Sequence, residues 1–420
     1  MTRKVLIYKL KLKWALIATI LLFGFHFSQS QQTIAPVQDR QLAMTLLNLE
    51  ENDNNHGLSW INTMSNAGIK TVIFTVRWDM VYEEADSKAD WTLFDRQMQL
   101  ISTLGMKAGI RIHLGRKRRK WQGFWTDEEI MRDFKGQPSI FGYVESHFSL
   151  TAKPAVDKGV AFIKEVCERY KPYQQQGKIL FVNVSTTQDQ EAGYFYLNNA
   201  DVSLPYTALY DFSPSAMADL QRQMKEKYEN VYTMNKYWIT KYTKFEQAAP
   251  YITKWNPEIS FIGKRGKDFY MARHHQLKDF LKTTGEAIKQ VDPSYKVCYD
   301  FGSLTDKNSA FRGTFNATSL AENADFLKHN DERKEWSFDI LAHNVNKPIF
   351  NEMYPQDRYS VKDMIDLTDF YFNNGSSLVT YLVASDEHAR KFSEVIATTK
   401  RWYNEPIQPV FAEKKMDVYV

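Results

Sequence analysis

Glu352 stands in a run where a buried strand is expected, although an unpaired carboxylate is costly to bury, and Glu191 follows another such run, where a solvated turn acid is the competing interpretation. Glu191 lies in "TTQDQEAGY" (186–194), after the apolar run "GKILFVNVS", and Glu352 lies in "PIFNEMY" (348–354). Hydrolysis of a glycosidic bond requires two carboxyl groups, one protonated and one ionised. The pair therefore predicts a glycoside-cleaving centre in which Glu352 attacks the sugar and Glu191 is the acid and base. Asp189 is the competing carboxylate of the first stretch.

Several other side chains at the ends of apolar runs are expected at the same centre. Arg77, in "IFTVRWDM", is placed to keep Glu352 ionised, because a nearby cation favours the charged form of a carboxyl group. Gln190 is expected to bind a sugar hydroxyl. The remaining substrate-binding candidates are His113, Trp121, Trp125, Tyr299, Asn351 and Tyr381. For the histidine, the tyrosines and the tryptophans, the competing interpretation is packing rather than sugar contact.

Eight short apolar runs, separated by helical patterns, must position these side chains. The predicted strands are 42–50, 70–78, 107–115, 178–186, 294–302, 324–329, 347–354 and 376–385. Continuous apolar runs are typical of parallel strands covered on both faces. The alternation predicts an α/β fold, a (β/α)8 TIM barrel, whose active sites lie at the carboxyl ends of the strands. The alternative is an open doubly wound sheet, which often has a Gly-rich loop after its first strand; "NLEENDNNHG" is not one.

The helical patterns complete the barrel and add an insertion. The predicted helices are 57–68, 91–105, 153–171, 268–292, 360–375 and 387–403. A further helical insertion is expected after strand four, within 200–262, where Ser213 is a predicted N-cap and Pro214 the first helical residue. Residues 31–420 are therefore interpreted as a single barrel domain with this insertion.

The N-terminus has the pattern of a secretory signal. Arg3 and four lysines precede the apolar stretch 14–25, and small residues follow at Ser28 and Ser30. The pattern predicts a signal peptide over 1–30, cleaved near Ser30. An uncleaved anchor is the alternative, but a spanning helix needs ~20 apolar residues. The protein is therefore expected in the periplasm or outside the cell, without membrane attachment after cleavage.

Composition and cysteine content exclude several classes of protein. The net charge is +4, so the overall charge gives no reason to expect nucleic acid as a partner. Cys167 and Cys298, the two cysteines, are too few for a disulfide framework or a four-cysteine zinc site, and both are expected to be buried thiols. His113 and His329 lie on predicted strands three and six, far apart on the rim, so a metal site is not expected. The two-carboxylate mechanism implies no organic cofactor.

One basic run suggests the chemistry of the substrate. "RKRRK" (116–120) follows strand three on the expected catalytic face and leads into Trp121. Such a run is usually a solvated surface. At this place its field can also attract anions. The resulting hypothesis is a substrate that carries sulfate or carboxylate groups.

Two segments carry a family resemblance. The order "VRWDMVYEEAD…ADWTLFDRQMQLISTLGMKAGIRI" (76–112) resembles the clan A retaining glycoside hydrolases, most of all the family 42 type of β-galactosidase. The segment 210–247 resembles the helical segment that follows strand four in that family, with matches at Ser213-Pro214, Lys227-Tyr228 and Met234-Asn235-x-x-Trp238. By this likeness Glu191 falls at the acid/base position and Glu352 at the nucleophile position, while Gln190 stands where the clan usually has Asn.

The resemblance implies a retaining β-glycosidase with an oligo- or polysaccharide substrate. Two other functions stay open at this point. One is an endo-acting β-glycanase on a polysaccharide, including an anionic one, which would have an open groove instead of a closed pocket. The other is a non-catalytic glycan-binding barrel, in which replacing Glu191 would change nothing measurable.

Overall fold

A computed structural model of the protein places eight parallel strands in a closed barrel. The strands are β1 Gln41–Leu46, β2 Thr71–Arg77, β3 Lys107–His113, β4 Ile179–Ser185, β5 Val297–Asp300, β6 Phe326–Asn330, β7 Ile349–Met353 and β8 Ser376–Leu382. Each strand pairs with its neighbours in chain order, and β1 closes the barrel on β8. The structure describes residues 40–48, 54–84, 87–115, 124–141, 144–145, 147–196, 208–252, 257–302, 307–314, 316–330, 347–353 and 359–399. The predicted (β/α)8 TIM barrel is confirmed.

Helices follow the strands. They are α1 Asn54–Ala67, α2 Trp78–Val81, α3 Thr92–Thr103, α4 Lys153–Gln175, α5 Pro214–Lys227, α6 Val231–Trp238, α7 Gly263–Val291, α8 Lys307–Arg312, α9 Ala317–Leu320, α10 Val361–Asn373 and α11 Asp386–Thr399. Shorter elements are the 3-10 turns Phe245–Gln247, Pro257–Phe261 and Ala321–Asn323, and a ribbon of Ile140–Phe141 with Val144–Glu145. The longer helices coincide with the predicted ones, although α7 begins five residues earlier than expected.

The barrel interior is apolar towards the amino ends of the strands. Its buried side chains are Ala43, Ile73, Phe181, Cys298, Phe350 and Leu378. Gly109 on β3 leaves room for this layer, since a Cβ there would lie 2.7 Å from the ring of Phe181. Side chains alternate between the two faces of a strand, so the residues two places further along also point inward.

Those residues form a second layer, which is polar and charged. Its buried members are Thr45, Thr75, Arg111, Asn183, Asp300, Lys328, Glu352 and Thr380. We call Thr45, Arg111, Asp300, Lys328 and Glu352 the charged layer. Arg111 and Lys328 each contact both Asp300 and Glu352. Two cations thus face two carboxylates, and this mutual compensation is what allows charges to stay buried.

The insertion after β4 has a core of its own. Buried apolar side chains of α5, α6 and the first turns of α7 pack together there, among them Leu220, Met234, Trp238 and Phe269. α5 starts as predicted: Pro214 is its first residue, and the Ser213 side chain accepts a hydrogen bond from the backbone N–H of Ala216. The insertion is therefore a packed helical unit attached to the barrel.

The remaining expectations concern the N-terminus and the cysteines. Residues Gln38–Val420 form one compact unit. The predicted signal peptide lies outside the described residues. Within the part of the chain that is described, no helix is both long enough and apolar enough to span a bilayer. Cys167 and Cys298 are buried free thiols, as expected.

Candidate active site

Glu352 lies on β7 in the charged layer, where three donors converge on one of its oxygens. Thr45 Oγ1 (2.9 Å), Arg111 Nη2 (3.0 Å) and Lys328 Nζ (3.1 Å) all contact Oε2. Among the described residues, none donates to Oε1. Burial by itself would raise the pKa of Glu352, but Lys328 and Arg111 outweigh burial and lower the pKa to about 2. Glu352 is therefore ionised at neutral pH.

Glu191 lies six residues after β4, in a turn that its own backbone closes. The carbonyl of Glu191 accepts hydrogen bonds from the N–H groups of Thr186 (2.8 Å) and Thr187 (2.9 Å). Its own N–H donates to Thr187 Oγ1 (3.0 Å). Gln190 has a left-handed φ of 62° at the tightest point. The turn buries Glu191 and leaves Asp189 exposed, so the competing carboxylate is the one that faces solvent.

The carboxyl group of Glu191 has fewer cationic neighbours than the carboxyl group of Glu352. Its Oε1 accepts a hydrogen bond from Asn330 Nδ2 (3.0 Å), and Arg312 Nη1 lies 3.3 Å from Oε2. Burial raises the pKa of Glu191 to about 8, and Arg312 opposes this shift without cancelling it. Glu191 is therefore protonated at neutral pH. The main cause is burial, and the negative charges of Asp189 and Asp300 act in the same direction.

Two residues of β6 connect the carboxyl groups. Asn330 lies beside Glu352 in the strand register and donates to Glu191. Its Oδ1 in turn accepts from Lys328 Nζ (3.0 Å), which contacts Glu352. The two glutamates, 161 positions apart in the sequence, therefore face the same barrel mouth through Asn330 and Lys328.

Gly302 leaves the space that Glu191 occupies. It follows β5 with a φ of +64°, a conformation that favours glycine. A Cβ at this position would lie 2.2 Å from Glu191 Oε2. The neighbouring backbone is tied to the same region, since Asn330 N–H donates to the Gly302 carbonyl (3.1 Å) and Ala192 N–H donates to the Asp300 carbonyl (2.6 Å).

The arrangement can transfer a proton to one atom of a bound molecule while a carboxylate attacks a second atom of that molecule. A protonated carboxyl and an ionised carboxylate at one mouth, with pKa values displaced in opposite directions, suit general acid and nucleophile roles. Within the described residues, no group of three or more His, Cys, Asp or Glu side chains is arranged to hold a metal ion.

Arg77 is placed differently from the prediction. Its Nε and Nη2 bind Asp79 (3.0 and 2.7 Å), and its Nη1 donates to the Asn48 carbonyl (3.1 Å). In the strand register Arg77 pairs with His113, one layer above Arg111. The cations that lower the pKa of Glu352 are Lys328 and Arg111, so the role expected for Arg77 is corrected.

His113 and Gln190 are both buried near the mouth. His113 Nδ1 lies 3.1 Å from Ser185 Oγ. Gln190 Nε2 donates to the Leu47 carbonyl (3.0 Å), while its Oε1 has no hydrogen-bond partner among the described residues. The free group of Gln190 is thus an acceptor. A substrate hydroxyl would donate to it.

Three predicted substrate contacts point away from the mouth. Tyr299 donates to the Leu281 carbonyl of α7 (2.6 Å), and Tyr381 donates to a carbonyl of α10 (3.0 Å). Asn351 Nδ2 lies 3.1 Å from His329 Nε2. All three alternate with inward-facing residues of the same strands, so the alternation turns them outward. Their predicted contact with substrate is corrected to packing outside the barrel wall.

Trp125, a predicted substrate contact, packs in the core instead. Trp125 is buried against Trp78, Phe124 and Phe148, with ring centroids 4.5–5.7 Å apart. No face of its indole is open to a sugar, so it packs the loop onto the barrel. Trp121 and the basic run 116–120 lie outside the described residues.

Sequence reasoning missed most of the groups that set the two protonation states. These are Thr45, Arg111, Lys328, Asn330 and Arg312. The signal for the strand residues was present: a charged or polar side chain interrupts an apolar run in "GIRIH" and "FLKHN", with the same alternation as Glu352. Arg312 lies on α8, and no pattern in the sequence marks it.

Known structures share this fold. The sequence matches no protein-family model and no curated protein. The catalytic domain of a β-amylase from Paenibacillus polymyxa has a TM-score of 0.69 at 16% identity, covering 88% of this chain and 100% of that one. A β-galactosidase from the haloarchaeon Halorubrum lacusprofundi has a TM-score of 0.67 at 13% identity, covering 86% of this chain and 58% of that one.

A catalytic mutant of a family 42 β-galactosidase from G. stearothermophilus gives a TM-score of 0.64 at 14% identity, over 87% of this chain and 57% of that one. This chain therefore spans a little more than half the length of these β-galactosidases. At such identities the likeness shows the fold: a TIM barrel of the kind that these glycosidases have. The resemblance to family 42 is confirmed at this level.

Proposed function

We propose that the protein is an exported retaining β-glycosidase, similar to β-galactosidases, with Glu352 as nucleophile and Glu191 as acid and base. One observation carries the proposal. Two buried carboxyl groups face one barrel mouth, and the pKa of Glu191 is raised to about 8 while that of Glu352 is lowered to about 2. Near neutral pH each group is then in the protonation state that its role requires.

In the first step, Glu352 Oε1 forms a bond to the anomeric carbon as the bond from that carbon to the leaving oxygen breaks. The proton of Glu191 passes to the leaving oxygen, which departs as an alcohol. Thr45, Arg111 and Lys328 hold the other oxygen of Glu352 and so fix the direction of attack.

In the second step, Glu191, now a carboxylate, takes a proton from water. The water oxygen bonds to the anomeric carbon as the bond to Oε1 breaks, which returns both glutamates to their starting states. Two inversions at the same carbon give net retention.

Export rests on the sequence of residues 1–30, with its basic start, apolar stretch and small residues near Ser30. We expect the mature protein in the periplasm or the medium. Intact mass and N-terminal sequencing of the protein from these fractions test this. A chain that keeps its first 30 residues in the membrane fraction would contradict it.

The test of activity is a panel of aryl β-glycosides and β-linked polysaccharides, with product anomers followed by NMR. We expect Glu352→Ala to lose nearly all activity. Glu191→Gln should lower kcat about 10²–10⁴-fold on substrates with poor leaving groups, and much less on dinitrophenyl glycosides, which need no proton. In the wild type, kcat/KM should fall as the pH rises past 8, because Glu191 then loses its proton.

Asp189→Asn is the matched control, because Asp189 is an exposed carboxylate in the same turn. Well below pH 8 it should leave the rates close to those of the wild type, and it should only move the basic limb to lower pH, because the charge of Asp189 helps to raise the pKa of Glu191. Undiminished activity in Glu352→Ala would refute the mechanism, and a product of inverted configuration would refute retention. Cleavage inside polysaccharide chains with no action on aryl glycosides would identify an endo-acting enzyme. Absence of hydrolysis with glycan binding retained would identify a binding barrel.

A further inference from the structure

The insertion exposes large apolar side chains that a solvated surface does not require. Within the described residues, all such side chains except Ile140 lie between 232 and 262. Ile239 is 92% exposed, Tyr232 77% and Ile262 70%. Ile239 also has a left-handed φ of 56°, which is unusual for a β-branched residue. Clustered exposure of this kind marks an interaction surface.

This segment, extended through the first turn of α7, is basic. Residues 231–267 contain seven Lys and Arg against two Asp and Glu, a balance of +5 compared with +4 for the whole sequence. The exposed lysines are Lys236, Lys241, Lys244, Lys264 and Lys267. None of them forms an ion pair with a described residue. The segment therefore presents uncompensated positive charge.

Two contacts place cations of this segment beside its tyrosine rings. Lys264 Nζ lies 4.2 Å from the ring centroid of Tyr237, which connects α6 to the start of α7. The guanidinium of Arg265 lies 6.0 Å from the ring centroid of Tyr251. Cations are therefore held beside half-exposed tyrosine rings. We call this the basic–aromatic surface; it comprises Tyr237, Tyr251 and Lys264, together with Tyr232 and Lys236, which are exposed on the same helix as Tyr237, and Ile262, which directly precedes α7.

The surface lies at the mouth end of the barrel. Along α7, Leu281 is level with Tyr299 of β5, and Arg273 is level with Tyr194, which already lies beyond the end of β4. Ile262 is eleven residues further towards the N-terminus, which corresponds to roughly 16 Å along a helix. The surface thus projects past the level where the two glutamates lie.

We propose that the basic–aromatic surface binds an acidic polysaccharide and holds it beside the barrel mouth. Tyrosine rings offer flat faces to sugar rings, and the adjacent lysines offer counter-charges to carboxylate or sulfate groups. A second copy of the chain is a poor partner, because an isologous contact would oppose like charges. The inference rests on the proposed function, because it names the substrate class of that function. Binding itself can be measured without catalysis.

The test measures binding of the full chain with Glu352→Gln, so that no probe is consumed. The probes are dextran sulfate and alginate, with neutral dextran as the uncharged comparison. We expect binding to both acidic polymers, weakened by salt, and none to dextran. Lys236→Glu with Lys264→Glu should weaken binding at least about tenfold. Tyr232→Ser with Tyr251→Ser, which keeps the charge, should also weaken it.

Lys70→Glu with Lys107→Glu is the matched control. It changes the net charge equally but at the opposite end of the barrel, where both lysines are exposed at the start of β2 and β3. Equal losses in the two double variants would overturn the proposal, as would a failure to bind either acidic polymer. Preferential binding to phosphatidylglycerol vesicles over both polymers would also overturn it and point to a membrane. Binding without hydrolysis by the wild type would leave this surface supported and refute the glycosidase.

Discussion

Lys328 is the residue whose contacts reach both carboxyl groups of the site. Its ammonium group contacts Asp300 and Glu352 directly and reaches Glu191 through the side-chain amide of Asn330. Because it is buried, its charge acts with little screening by water. Lys328 is therefore expected to be the main cation that keeps Glu352 ionised, ahead of Arg111.

Replacing Lys328 tests this assignment. In Lys328→Met, the pKa of Glu352 should rise, because burial is then opposed only by Arg111 and by the hydrogen bond from Thr45. The acidic limb of the kcat/KM profile should move to higher pH, and kcat should fall about 10²–10³-fold, as for other buried electrostatic groups of active sites. The basic limb, which reports Glu191, should shift less.

Lys391→Met provides the comparison, since Lys391 is a buried lysine on α11 paired with Glu387 and outside the site. It should lower stability without moving either limb. If Lys328→Met lost stability but kept the wild-type pH profile, its role would be structural only.

At this scale the sequence was informative about which glutamates to choose and much less about their neighbours. A costly buried Glu in an apolar run is visible without coordinates. The outward direction of Tyr299, Asn351 and Tyr381 was also accessible, because each alternates with a predicted inward residue. Arg312 was not accessible, because its contact with Glu191 joins positions on separate elements.

At the scale of elements, the carboxyl ends of β4, β5 and β6 act together. The turn after β4 is tied to β5 through Ala192 and Asp300, and Asn330 of β6 is tied to Gly302. Glu191 is consequently held by three neighbouring strand ends rather than by one loop. A substitution in the segment after β5 should therefore alter the position of the Glu191 carboxyl group, although the two residues are far apart in the sequence.

Gly302→Ala is the test of this coupling. The new Cβ would collide with the Glu191 carboxyl group, so activity should fall at least about tenfold while the protein still folds. Both this change and Gly177→Ala place Ala at a similar positive φ, +64° and +69°, and each should cost about 1–2 kcal/mol of stability. At Gly177 a Cβ meets nothing within 4 Å, so activity should persist there. Equal activities of the two variants would show that Glu191 has room to move.

The elements themselves were largely predictable. Each observed strand overlaps its predicted run, because a barrel strand covered on both faces must be apolar throughout. The Ser-Pro signal located the start of α5. The early start of α7 was missed, because Gly263, Lys264 and Gly266 do not show the apolar spacing of a buried helix. That turn packs against Phe261 and the rings of α6 rather than against the barrel, so the barrel's apolar pattern does not extend to it.

At the scale of the whole molecule, the barrel interior has an apolar layer towards the amino ends of the strands and the charged layer towards their carboxyl ends. Burial of apolar groups favours folding, whereas burial of charged groups opposes it unless they are compensated. The apolar layer around Phe181 and Phe350 supports the charged layer above it. Burial of Glu191 favours the neutral form of its carboxyl group. The same property that suits it to donate a proton should therefore reduce the stability of the fold at high pH.

The dependence of melting temperature on pH tests this. The pKa of Glu191 is raised in the folded state to about 8, so its contribution is fully present below the unfolded pKa near 4.5 and is lost as the pH rises through 8. Glu191→Gln should therefore gain in melting temperature relative to the wild type between pH 5 and 8, by a few degrees, and the gain should level off above that range. A difference that stays flat with pH would contradict the raised pKa.

The three donors on Glu352 Oε2 have one more consequence under the proposed mechanism. Once Oε1 is bonded to the sugar, Oε2 becomes the carbonyl oxygen of an ester, still facing Thr45, Arg111 and Lys328. Donors at a carbonyl oxygen draw electron density away from the ester linkage and make the carboxylate a better leaving group. The contacts that aim Glu352 in the first half of turnover would thus also help to release it in the second.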